Sequence, residues 1–171
     1  MKKYIIYIFV SFFIIPIHSQ EDLWDVIREN SNFQYSADRS EIQKALKIYQ
    51  NNQYLVDRLS KNGQRYLYHM VDETLKRDMP VELALLPFVE SQFDPYAQSP
   101  AGASGIWQFI LSTAREQGLK RNWWYDGRRD IIASTNSALN YLDSMHRKTN
   151  DWMLAIASVS YTHLRAHETR S

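Results

Sequence analysis

The chain has 171 residues, 44% of them apolar and 13% aromatic, with a net charge of +1. That is enough for one domain with a core of its own, burying roughly 70% of its unfolded surface. The near-neutral charge excludes the basic footprint of a nucleic-acid binder, and the absence of cysteine excludes disulfides, a thiolate nucleophile and lipid attachment at a cysteine. Composition alone points to a ring-rich helical bundle, although aromatics beyond the needs of a core also suit a sugar-binding groove.

Lys2 and Lys3 open the chain, an apolar run follows from Tyr4 to Ile17, and His18-Ser19-Gln20 returns to polar sequence. This is the layout of a secretory signal peptide over residues 1–19, with cleavage expected after Ser19. The run is shorter than the ~20 residues that cross a bilayer. Left uncleaved, it would associate the protein with the membrane. Either way the working domain is expected to be exported to the periplasm or cell envelope.

An N-terminal helical region is expected over residues 20–78. A short helix spans Asp22 to Glu29. Ser40 and Gln43 have the form of a capping box, opening a helix with Ile42, Ala45, Leu46 and Tyr49 at helical spacing and a stop at Asn62-Gly63. Leu67, Met70, Val71, Thr74 and Leu75 mark one face of the next helix. After Asp78-Met79-Pro80 a helix runs from Val81 to Ser91, where Pro87 should produce a bend. Residues 94–105 are loop-like, with Asp-Pro, Ser-Pro, Gly102, Ser104 and Gly105. Ser112 caps a short helix ending at Gly118. Asp130 caps a helix from Ile131 to about Arg147, and Asp151 one from Trp152 to about Ser158. No alternating strand run occurs, so the class is all-α.

Glu90 draws attention because Ala84, Leu85, Leu86, Phe88 and Val89 precede it and a loop of small residues follows. Most glutamates are simply solvated. Yet an apolar setting favours the neutral form of a carboxyl group, and a protonated acid is what cleavage of a glycosidic bond requires. Asp94 and Asp126 are the obvious second carboxylates for a hydrolytic reaction. Structural roles suit them better: Asp94 in the turn before Pro95, and Asp126 with Arg128, Arg129 and Asp130 in an ion-pair and capping cluster. Trp123, Trp124 and Tyr125 could line a groove rim. His163 and His167, with Glu168 beside them, have a spacing that could grip zinc on a helix, but neither a metal nor another cofactor is expected.

The stretch LLPFVESQFDPYA, then GIWQ at Gly105–Gln108, then YDGRRD at Tyr125–Asp130, resembles the lytic transglycosylases of bacterial cell walls, and most closely the membrane-bound lytic murein transglycosylase D group. The likeness is strong from Met79 to Ser158 and weaker back to Leu23. It implies the goose-type lysozyme fold, an SLT catalytic domain over residues 79–158, activity of the glycoside hydrolase family 23 type, and peptidoglycan glycan strands as the partner. Carried over, Glu90 is the catalytic acid. It protonates the glycosidic oxygen, then takes the proton of the sugar's own 6-hydroxyl as that oxygen attacks the anomeric carbon. The product is a 1,6-anhydro end, formed without water and with a single carboxylate, unlike two-carboxylate glycosidases. Ser99 and Gln108 correspond to groups that hold the substrate, with Gly105 and Trp107 in the turn beside them. A glycine there would let backbone approach the sugar closely. Trp107 offers either a stacking face or core packing.

Two positions depart from the pattern. Leu111 stands where relatives have proline. After LAIAS the family continues with Tyr-Asn, a glycine-rich turn and further helices, and that tyrosine hydrogen-bonds the catalytic glutamate. Here Val159 and Ser160 follow, then YTHLRAHETRS. Residues 159–171 therefore read as an atypical, foreign tail that leaves the fold incomplete at its C-terminus, with an orphaned apolar face, low stability and weak activity expected. A hydrolytic muramidase, a non-catalytic wall-binding module and a general helical interaction domain are the competing readings.

Overall fold

The computed structural model describes residues 22–33 and 39–168; the signal-like segment lies outside them. Over the described residues the regular structure is helical, with extended backbone paired only at isolated bridges. The all-α expectation holds. No helix among these residues is long and apolar enough to cross a membrane.

Helix α1 (Leu23–Glu29) starts at Asp22, whose carboxylate accepts the Trp24 amide at 3.1 Å. The run from Ser40 to Gly63, expected as one helix, is two: α2 (Ser40–Gln50) and α3 (Gln53–Gly63). Asn51 and Asn52 divide them, and the Asn52 side chain accepts the Leu55 amide at 3.0 Å to start α3. Asparagine competes with the helix in its interior and serves well at its cap. Arg39, rather than Ser40, holds the cap position of α2.

Helix α4 (Leu67–Leu75) buries Leu67, Met70, Val71 and Thr74, the stripe expected from their spacing. The segment 81–91 is not one bent helix. A 3-10 turn over Val81–Leu85 hands over to α5 (Leu86–Ser91), and Pro87 sits in the first turn of α5. A missing N–H loses no bond there, so this proline marks a start instead of a bend. Helix α6 (Leu111–Glu116) begins one residue before Ser112, with Ile110 at its cap.

Helix α7 (Ile131–Thr149) is capped by Asp130, which accepts the Ala133 amide at 2.9 Å. Asp130 also accepts the Tyr125 hydroxyl at 3.0 Å. Asp130→Ala should therefore lower stability by about 1–2 kcal/mol, read as a drop in denaturation midpoint with unchanged slope. Helix α8 (Trp152–Glu168) starts at Asp151, which accepts the amides of Met153 and Leu154 at 2.7 and 3.2 Å. It runs past Ser158, where its end was expected. No glycine or proline interrupts residues 152–168, so the change in composition carries no stop signal.

Helix α4 lies at the centre of the core. Met70 and Val71 cluster with Val81, Leu83 and Ala84 of the 3-10 turn and with Leu139 and Leu142 of α7, and α8 packs along α7. Glu82 is buried in this region and serves as an anchor. One of its carboxylate oxygens accepts the Ser31 hydroxyl at 2.6 Å and the amides of Asn32 and Phe33 at 2.8 and 2.7 Å. Burial by itself would raise its pKa, but the bonds from Ser31 and the backbone outweigh burial and hold it below the ordinary value. Because the folded pKa is depressed, the stabilisation is complete above the unfolded value of roughly 4.3. It fades as pH falls through the lower folded value. Glu82→Gln should flatten that part of the acid unfolding profile, as measured by melting temperature against pH.

Candidate active site

Glu90 is the next-to-last residue of α5 and is half-buried. It lines a small cleft between α5, α7 and α8, floored by Trp107, Phe109, Ala138 and Leu142 and bordered by Tyr141, Ile156, Val159 and Ser160. Among the described residues it is the one carboxylate in that cleft. A far larger apolar cavity of about 1140 Å³ lies between α1, α3 and α4 and does not include Glu90. Size alone would not select the Glu90 cleft. Of the site residues read from the sequence, Glu90 and Trp107 line that cleft, while Ser99, Gly105, Gln108 and Tyr125 are not among its lining residues.

The end of α5 is fixed from several directions. Gln92 and Phe93 both adopt left-handed backbone, with φ of 55° and 56°, and the Phe93 amide donates to the Pro87 carbonyl at 3.1 Å. Such a turn satisfies carbonyls at a helix C-terminus. Asn62 of α3 donates to the Gln92 carbonyl at 3.0 Å. Ser91 is buried, and its hydroxyl donates to the Ile106 carbonyl at 2.8 Å. The Glu-Ser pair thus divides the work: Glu90 faces the cleft, and Ser91 fastens its helix to the GIWQ loop.

That loop is built on short bridges, Gln98 to Ser104 and Ser104 to Phe109. The Ser99 hydroxyl accepts the Ala103 amide at 3.1 Å, which leaves its hydrogen able to donate. Gln108 has a left-handed backbone (φ 49°) and a buried side chain. Its amide nitrogen donates to the carbonyls of Gly105 and Ala97 at 2.7 and 3.2 Å. The Trp107 indole is 5% exposed and donates to the Thr135 hydroxyl of α7 at 3.0 Å. Of the alternatives for this ring, core packing describes its body, while its edge reaches the Glu90 cleft. Gly105 has φ of 84°, and a Cβ there would stand 1.8 Å from the Arg128 carbonyl oxygen. The close approach that requires glycine is therefore to Arg128.

The YDGRRD segment closes the unit. Arg128 is buried; it bonds Asp126 at 2.6 Å and donates to the carbonyls of Gly102 and Phe109 at 2.9 and 3.2 Å. The hydrogen bond from Arg128 holds the Asp126 carboxyl below its ordinary pKa despite burial, and Arg121 lies 3.5 Å from the same carboxylate. Asp94 accepts the Tyr96 amide at 2.8 Å. Both aspartates take the structural roles read for them. Tyr125 is half-buried, and burial followed by the bond to Asp130 raises its pKa; it braces the start of α7 and does not line the cleft. Trp123 and Trp124 are exposed outside the cleft as well.

The transglycosylase SLT domain family matches residues 67–165. The chain belongs to that family. It is 41% identical over 138 residues to the membrane-bound lytic murein transglycosylase D of Escherichia coli strain K12, covering 80% of this chain and 30% of the relative. A protein of Alteromonas sp. strain M-1 named for tributyltin chloride resistance is 42% identical over 102 residues, 59% of this chain and 49% of that one. The membrane-bound lytic murein transglycosylase F of Alcanivorax borkumensis is 34% identical over 91 residues, 48% of this chain and 18% of the relative. The chain thus spans about a third of the Escherichia coli relative and half of the Alteromonas one. The SLT match begins at the first residue of α4, in keeping with that helix's central place in the core.

Two residues at this site were not singled out in the sequence, Tyr141 on the cleft wall and Ser91 as fastener, and neither was Glu82, the anchor in the core. Tyr141 looks like any aromatic on an amphipathic helix. Ser91 was visible beside Glu90, but nothing local shows that its partner is fifteen residues away. Among the described residues no group of three or more His, Asp or Glu could hold a metal. His163, His167 and Glu168 have side chains outside the described set.

Proposed function

We propose that this chain carries the catalytic portion of an exported peptidoglycan lytic transglycosylase. It cleaves the β-1,4 bond between N-acetylmuramic acid and N-acetylglucosamine and leaves 1,6-anhydro ends. Glu90 enters protonated and gives its proton to the glycosidic oxygen as the bond to the anomeric carbon breaks. The resulting carboxylate accepts the proton of the muramyl 6-hydroxyl while that oxygen bonds to the anomeric carbon. Glu90 ends protonated again and no water is consumed. Ser99 and Gln108 hold the sugar near the acid, with Trp107 at the cleft floor; Gly105 and Tyr125 act indirectly, by fixing the GIWQ loop against Arg128 and the start of α7. The exported, cell-envelope setting follows from the signal-like segment over residues 1–19.

The observation that carries this reading is that Glu90 is the one carboxylate among the described residues that line an apolar cleft. A hydrolase of the two-carboxylate kind needs a second acidic group across the scissile bond, and Asp94 and Asp126 are both engaged elsewhere. The test is to incubate the protein with purified sacculi and weigh the soluble muropeptides by mass spectrometry. Products lighter by one water than hydrolytic ones support the proposal. Hydrated reducing ends would replace it with a muramidase, and binding without release would replace it with a wall-binding module.

A further inference from the structure

Trp123 and Trp124 serve neither the core nor the Glu90 cleft. They are 89% and 69% exposed, and they meet edge to face at 4.6 Å between centroids. The loop that carries them is firmly built. The Asn122 side chain accepts the amides of Trp124 and Tyr125 at 3.1 and 2.8 Å, and the Gly127 amide donates to the Lys120 carbonyl at 2.8 Å. Arg121 and Asp126 bridge its base. Two large rings on a rigid tip form a standing apolar surface of the kind that marks a contact site.

Their exposure points to what would cover them. A ring used as a sugar-stacking platform lies against the fold, with one face covered by protein. Trp123 has solvent on nearly all of its surface, so it projects instead of lying flat. A projecting indole suits a medium that closes around it. The interfacial layer of a bilayer does so, taking the ring body among acyl chains and the N–H among headgroups. The charge agrees. Lys120 is exposed beside the rings, and the nearby carboxylate, Asp126, is outnumbered by its two partners Arg128 and Arg121, so the tip keeps a net positive charge. That leaves a tip suited to anionic headgroups.

We infer that the loop tip from Lys120 to Trp124 is a lipid-docking site that seats both indoles in the headgroup layer of an anionic bilayer. The site is separate from Glu90, and its failure would leave the proposed reaction untouched. It is also distinct from the apolar segment at residues 4–17, so the test must read contact at the tip itself.

Vesicles of phosphatidylcholine and phosphatidylglycerol with brominated acyl chains quench tryptophan emission on contact. They should quench the full chain, and a Trp123→Ala/Trp124→Ala variant should lose most of that quenching and bind at least about tenfold more weakly, with an unchanged melting temperature. Lys120→Glu should weaken docking, and so should raised salt or vesicles without phosphatidylglycerol. Equal quenching of wild type and double variant, or none in either, would overturn the inference. So would emission that responds to soluble glycan strands and not to vesicles, since a sugar would then be the occupant.

Discussion

Replacing Glu90 with glutamine is expected to reduce the release of muropeptides from purified sacculi by on the order of 10³-fold or more, while the protein still melts cooperatively and still sediments with the sacculi. Glutamine keeps the size of the side chain but can neither deliver nor accept the proton. The loss should lie at the upper end for general acid-base catalysis because the same group acts twice. The cleft offers no second carboxylate as a substitute among the described residues. Wall release by the variant at the parent rate would remove Glu90 from the reaction. Strong binding with no turnover in either protein would mean that the groove recognises glycan without cutting it.

The largest structural effect is expected at Gly105. Gly105→Ala places a Cβ 1.8 Å from the Arg128 carbonyl oxygen and 2.6 Å from its carbon, at a φ of 84°. The left-handed backbone costs an L-residue about 1–2 kcal/mol, and relief of the clash requires movement of backbone at roughly 1–3 kcal/mol more. The resulting loss of roughly 2–5 kcal/mol corresponds to a melting temperature lower by about 10 °C. Gly118→Ala is the control. Its φ is 77°, but nothing lies within 4 Å of the added Cβ, so only the backbone cost applies. Equal shifts in the two variants would show that the contact between the GIWQ loop and Arg128 is not tight. Because Gln108 and Ser91 both bond this loop, Gly105→Ala should also depress activity more than Gly118→Ala does.

These two substitutions separate what the sequence states openly from what only packing reveals. The order Glu-Ser, GIWQ, YDGRRD was legible, and the three segments pack against one another, because Ser91, Gly105 and Arg128 join them directly. Capping was legible where an aspartate preceded an amphipathic run, at Asp130 and Asp151; Asp22, read as the first residue of its helix, is instead its cap. Capping was less legible at Asn51-Asn52, since the apolar pattern of α2 and α3 continues across the break. Pro87 was read as a bend because its register in the helix depends on where the 3-10 turn stops, which tertiary packing decides. The purpose of each motif residue was the least legible. A glycine that admits a sugar and one that admits the Arg128 carbonyl look the same in sequence. Trp107 joins core and cleft because one ring has both a body and an edge.

The most direct measurement is digestion of purified sacculi in water enriched with heavy oxygen, followed by mass spectrometry of the new muramyl ends. Attack by the sugar's own 6-hydroxyl takes no oxygen from solvent, so the ends should be anhydro and unlabelled, and they should be missing when Glu90→Gln is used. Heavy oxygen at the anomeric carbon of the newly formed ends would contradict the account.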